Sequence, residues 1–169
     1  MRRTQLNKQR GYALENEVVR GIRLIPNAIV YKVPDAKTMG VMMSTRVPTD
    51  IMFTYKCTIY TIECKTTKMH RFPLANLKEH QIEWCKSCPR AYFLVHFNNR
   101  QKGDMKIERT FLFDYEALLS MTMDNSVSIP LSAFEQHALE LERKTTKYHP
   151  EKEGAFVNFE KFINMESIL

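Results

Sequence analysis

Residues 47–65, VPTDIMFTYKCTIYTIECK, contain Asp50 and, thirteen positions later, Glu63, which opens an acid-x-lysine triplet ending in Lys65. The residues between are largely β-branched and aromatic, and they predict two strands, 50–55 and 58–65, joined by a tight turn. Such a hairpin brings Asp50 and Glu63 side by side. Adjacent carboxylates repel each other and raise one pKa unless a cation sits between them. Acid oxygens suit Mg2+ or Mn2+, with waters completing the coordination. Residues two apart on a strand share a face, so the Lys65 ammonium lies on the side of Glu63. From there it can orient a water and stabilise charge developing on a phosphate. The pattern is that of a metal-dependent nuclease site. Taken alone it is equally that of an edge strand carrying ordinary surface acids and a lysine.

The surrounding elements must hold this hairpin in place. Leu14, Val18 and Ile22 recur at helical spacing and predict a first helix over 6–24, ended by Pro26 and Asn27. Glu15 lies at the margin of that stripe, a usual position for a surface acid. A strand is expected over 28–33. Residues 34–48, with two prolines, a glycine and three methionines, read as a projecting basic arm whose Lys37 and Arg46 can reach a phosphate backbone. After the hairpin come a basic loop (66–76) and a helix (77–85) stopped by Pro89. The apolar run 91–97 predicts a central strand covered on both faces, and 106–113 a further strand. A short helix at 115–121, a helix from a Ser132/Glu135 capping box to residue 143, a polar loop and a closing strand-plus-helix segment follow. The order α-β-β-β-α-β-β-α-α-α predicts an α/β fold, one domain with a mixed central sheet flanked by helices.

Charge distribution points to a polyanionic partner. The net charge is +6 over 169 residues. Residues 1–47 hold nine Lys/Arg (including Arg2, Arg3, Lys8 and Arg10) against three acids, whereas the remainder carries sixteen of each. The entire surplus precedes the hairpin, as an approach surface for phosphates requires, although a solvated basic face gives the same count. No apolar run approaches the roughly 20 residues of a membrane helix, and the basic N-terminus lacks an apolar signal-peptide core. The four cysteines fall within expected strands and a helix, which suits a reducing, cytoplasmic compartment.

Several motifs in one order narrow the reading. RGYALENEV, the P-T-D entry at 48–50, E-C-K at 63–65, F-P-L at 72–74 and H-Q-I-E at 80–83 resemble the RecU family of Holliday-junction resolvases, within the PD-(D/E)xK nuclease superfamily. A more distant resemblance is to the archaeal Hjc resolvases. The resemblance to RecU covers residues 10–84 and implies a restriction-endonuclease-like fold. Through it, Asp50 and Glu63 match the metal ligands, with the Cys64 backbone carbonyl also available, and Lys65 matches the catalytic lysine. Glu15 matches a first-helix acid completing the site, and Gln81 a helix glutamine facing it. Thr49 matches the polar neighbour of the aspartate, and Gly11 a glycine before the helix acid. The family implies a Mg2+-dependent homodimer cutting four-way junctions symmetrically in a bacterial or bacteriophage setting, with a recombination helicase or recombinase as a further partner. The arm at 34–48 takes the place of the family's junction-entering stalk and is shorter than usual. Phosphate contacts are expected from the basic first helix, the arm, Lys68 and Arg71.

Other chemistries are less well supported. Cys85 and Cys88 end a helix instead of opening one, so no dipole activates a thiolate as in a redox motif. A zinc site using them lacks a second pair at the required spacing, although His70, His80 and Cys64 are present. A non-catalytic DNA-binding accessory protein, and a restriction or repair endonuclease acting on linear duplex, are the alternatives.

Overall fold

A computed structural model describes residues 2–34, 48–100, 106–122, 126–146 and 154–166; the side chains of 2–8, 10, 99–100, 106–107 and 146 fall outside that description. Helix α1 (Arg2–Arg23) is followed by β1 (Ile29–Lys32), β2 (Ile51–Tyr55) and β3 (Thr58–Thr67). Next come β4 (Arg71–Pro73), α2 (Glu79–Ser87), β5 (Ala91–Arg100) and β6 (Lys106–Phe113). The remainder is α3 (Tyr115–Met121), β7 (Ser128–Pro130), α4 (Leu131–His137), β8 (Leu139–Leu141), β9 (Arg143–Thr146), β10 (Gly154–Val157) and α5 (Glu160–Glu166).

Six strands form one mixed sheet in the order β1-β2-β3-β5-β6-β8. Strands β3 and β5 pair in parallel, and the sheet's other pairs are antiparallel. The parallel pair needs a crossover, which β4 and α2 supply. Alternation along the strands gives the sheet two apolar faces. On one, Leu14, Val18 and Ile22 of α1 and Phe159 and Phe162 pack with Ile51, Ile62, Leu94 and Leu112. On the other, Leu77, Cys85, Leu118 and Phe134 pack with Phe93, Val95, Phe97 and Phe111. The expected mixed sheet flanked by helices is therefore the observed architecture.

The hairpin forms as its composition predicts. Tyr55 pairs with Thr58 across a two-residue turn in which Lys56 and Cys57 take φ of 47° and 62°. Two central residues at positive φ match the twist of the flanking strands, even without the usual Asn-Gly. Behind it, Glu166 accepts hydrogen bonds from Tyr60 (2.9 Å), Tyr92 (3.1 Å) and Arg90 (2.9 Å), fixing α5 against β3 and β5.

Three local expectations need correction. Strand β3 runs on to Thr67, and the expected basic loop at 66–76 contains β4, which pairs with β7. The helix expected over 77–85 starts at Glu79. The helix expected from 132 to 143 stops at His137, because Leu139 and Leu141 alternate with polar residues and pair with Leu112 and Thr110 of β6. Its capping box does not form: Pro130 caps α4, and Glu135 is ion-paired with Arg109. Most of the expected arm, residues 35–47 with Lys37 and Arg46, lies outside the described residues. No described helix is long and apolar enough to cross a membrane.

Phe134 is fully buried and meets Phe72, Phe97, Phe111 and Phe113 edge-on or tilted. Phe134→Ala should lower unfolding free energy by about 3–5 kcal/mol, read by urea denaturation. A loss under about 1 kcal/mol would mean that this face of the sheet is not a close-packed core.

Candidate active site

The site is built from the β2–β3 register. Ile51 faces Ile62, and the Asp50 amide donates to the Ile62 carbonyl at 3.2 Å, which sets Asp50 beside Glu63. Thr49, 4% exposed, shares its hydroxyl hydrogen between the carbonyls of Ile62 (3.0 Å) and Ile51 (3.2 Å) and so fixes the entry to β2. The Asp50 carboxylate is oriented in turn by the Cys64 amide, which donates to its Oδ2 at 2.8 Å.

Glu63 points to the α2 side of the sheet and is 5% exposed. Its Oε1 accepts from Lys65 Nζ at 2.6 Å and from Gln81 Nε2 at 2.5 Å. Gln81 is itself anchored, because its Oε1 accepts from the Lys78 amide at 3.1 Å and thereby satisfies a donor at the start of α2. Helix α2 thus presents a locked amide to the carboxylate. Glu15, on α1, forms an ion pair with Lys32 of β1 at 2.8 Å.

Burial, reinforced by the charge on Asp50, pushes Glu63 from its ordinary 4.5 up to about 7; Lys65 pulls the other way, and Glu15 adds to the rise. The Cys64 thiol is raised for the same reasons, by burial and then by Asp50, Glu15 and Glu63. Negative potential from three carboxylates therefore converges on the middle of β3, at Glu63 and Cys64. Among the described residues no three His, Cys, Asp or Glu side chains are gathered tightly enough to hold a metal ion by themselves. The donor set fits a hard divalent cation that takes one or two carboxylates and completes its shell with water. A cation there removes the repulsion that opposes ionisation of Glu63.

Of the residues expected at the site, Asp50, Glu63, Lys65 and Gln81 come together through direct bonds or strand pairing, whereas Glu15 is bonded to Lys32 and reaches Glu63 only through its charge. Gly11 sits one turn before Glu15 and lines a cleft of about 770 Å³ that also takes in Cys64, Lys65, Lys68 and Lys78. Arg71 is exposed and holds β7, donating to the Ser128 hydroxyl and carbonyl at 2.8 Å each. Arg2, Arg3, Lys8 and Arg10 lie on the first turns of α1. Sequence reasoning missed Lys32, whose partner on α1 no local pattern reveals. The cysteine motif is structural: all four cysteines are reduced, and Cys85, buried, donates to the Ala91 carbonyl and is pushed up to about 12.

The raised pKa of Glu63 makes the stability of the metal-free protein depend on pH. The stabilising contribution of Glu63 is complete below the unfolded value near 4.5 and is lost as pH rises through about 7, a difference of order 3 kcal/mol. The metal-free protein should lose thermal stability between pH 5 and 8, Glu63→Gln should flatten that profile, and Mn2+ should restore stability at pH 8. A wild-type profile as flat as that of the variant would contradict this assignment.

A family model described as RecU, Recombination protein U, matches residues 8–151, from within α1 to beyond β9. Among solved structures, Hjc, a Holliday junction resolvase from the archaeal hyperthermophile Archaeoglobus fulgidus, is similar at 17% identity and a TM-score of 0.42, over 81% of this chain and 94% of that one. No curated protein sequence matches. With most of its length matched, the chain belongs to the RecU, Recombination protein U, family.

Proposed function

We propose that this protein is a divalent-metal-dependent endonuclease that resolves four-way DNA junctions by paired, symmetric phosphodiester cleavage in recombination. The observation that carries the reading is the buried Glu63 carboxylate, set beside Asp50 and bonded by Lys65 and Gln81. Family membership supplies the substrate class. Mg2+ is the expected ion and Mn2+ its substitute, given an all-oxygen donor set.

The placement of the residues supports the following roles. Asp50 and Glu63 would hold the ion, with the Cys64 carbonyl and Glu15 as further oxygen donors. When bound, the ion supplies Lewis-acid stabilisation of the phosphoryl oxygens and lowers the pKa of a water. Gln81 keeps the Glu63 carboxylate in one rotamer, and the Cys64 amide does the same for Asp50. Lys65, 17% exposed at its side chain and 2.6 Å from Glu63, would orient the attacking water and meet charge on the phosphate. Water would attack phosphorus in line as the bond to the leaving oxygen breaks, the attacking water giving up a proton to solvent and the leaving oxygen taking one up.

Lys68 and Lys78 at the cleft would bind phosphate, and the basic residues in the sequence of the first turns of α1 support the same role. A homodimer would place one such centre on each of two opposed strands, as symmetric cutting requires, and a recombination helicase or recombinase is the expected further partner.

A synthetic four-way junction and a matched linear duplex, each with and without Mg2+, test this directly. Cutting of the junction alone, only with Mg2+, is the expected result. Equal cutting of both would make the protein a duplex endonuclease, and tight binding without cutting would make it an accessory factor. Asp50→Asn should lower cleavage by more than about 100-fold while junction binding persists. Binding should weaken steeply between low and moderate salt.

A further inference from the structure

Helix α1 carries a second buried acid that the catalytic reading does not use. Glu17 is 7% exposed, and Arg143 of β9 grips it with both arms of the guanidinium, Nε to Oε2 at 2.8 Å and Nη2 to Oε1 at 2.7 Å. Arg143 also reaches Glu108 of β6 at 3.4 Å. A bidentate pair fixes orientation as well as distance.

The placement of this pair on the helix is informative. Successive residues turn about 100° around a helix axis. Relative to the buried Leu14, Glu15 therefore lies on one flank of the apolar stripe and Glu17 on the other. Each flank is tied to a different strand, Glu15 to Lys32 of β1 and Glu17 to Arg143 of β9. Two ties on opposite flanks resist rolling of the helix in either direction.

One turn further on, the helix is pinned in depth. Gly21 lies so close to β10 that a Cβ there would fall 1.8 Å from the Val157 carbonyl oxygen, so the backbones meet with no room for a side chain. Next to it, Arg20 Nε donates to the Ala155 carbonyl at 3.0 Å, and the Arg20 guanidinium lies over Gly154, whose φ of +131° suits glycine.

We propose that Glu17 and Arg143 are positioning residues which, with Gly21, lock α1 onto the β9–β10 hairpin and so hold Glu15 at the metal seat. The proposal rests on the reading of Asp50, Glu63 and Glu15 as that seat. A roll of 20° about an axis some 5–6 Å away moves a side-chain tip by about 2 Å. Working sites tolerate about 0.5 Å, so even a small loss of clamping reaches the ion. Arg143 also lines the cleft, where a guanidinium can instead bind a DNA phosphate. The two roles differ in what they predict for Glu17.

The test titrates Mn2+ alone, by calorimetry, into the full-length wild type and into Glu15→Gln, Glu17→Gln, Arg143→Ala and the Glu17→Gln/Arg143→Ala double variant. Junction affinity is measured in parallel by fluorescence anisotropy, and far-UV circular dichroism verifies that each variant is folded. Glu15→Gln, Glu17→Gln and Arg143→Ala should each weaken Mn2+ binding about tenfold. The double variant should lose no more than either single, and junction affinity should hold throughout. Glu17→Gln binding Mn2+ like wild type while Glu15→Gln does not would overturn the positioning role and leave the seat intact. Arg143→Ala losing junction affinity with Mn2+ binding unchanged would make Arg143 a phosphate contact. Wild-type Mn2+ affinity in Glu15→Gln would remove Glu15 from the seat, and this proposal with it.

Discussion

A carboxylate kept out of water beside another carboxylate is the constraint on which this structure turns. Glu63 is nearly inaccessible to solvent, and its neighbour Asp50 adds repulsion to burial. An arrangement of this kind weakens a fold unless it serves one. Much of the surrounding structure keeps it in being. The two-residue turn sets the register, Thr49 ties the strand entry, the Cys64 amide orients Asp50, and Gln81 brings the first turn of α2 against Glu63. The flanking cores make the sheet stiff enough for these bonds to stay short.

Much of this is legible in the chain because its signals are local. The hairpin is encoded by β-branched and aromatic residues on both sides of a short turn, and the spacing of Asp50, Glu63 and Lys65 follows from strand periodicity. The helix stripe of α1 and the apolar run of β5 are equally plain. Gln81 came into view only through the resemblance to RecU, since nothing in its neighbours shows a glutamine turned inward from the start of a helix.

The C-terminal third is where local signals mislead. HALELERK, residues 137–144, favours a helix by composition, yet Leu139 and Leu141 find their burial in alternation against β6. Arg109 reinforces this by binding both oxygens of Glu140, at 2.7 and 2.6 Å. Tertiary pairing outweighs helix propensity here, as a difference of tenths of a kcal/mol per residue permits. The ion pairs that steady α1 are invisible for another reason: Glu17 and Arg143 are 126 positions apart, and no periodicity connects them. Segments that look like appendages to the nuclease centre thus supply the support for one of its helices.

The central claim is that Glu63 and Asp50 form a seat for a divalent cation, with Glu63 retaining its proton near neutrality until the ion arrives. The most direct measurement is the number of protons released when Mn2+ binds at pH 6.5, obtained from calorimetric titrations in two buffers of different ionisation enthalpy. With Glu63 near 7, most of one proton should leave per ion bound, and Glu63→Gln should release none. Mn2+ binding to the wild type with no proton release would contradict the account.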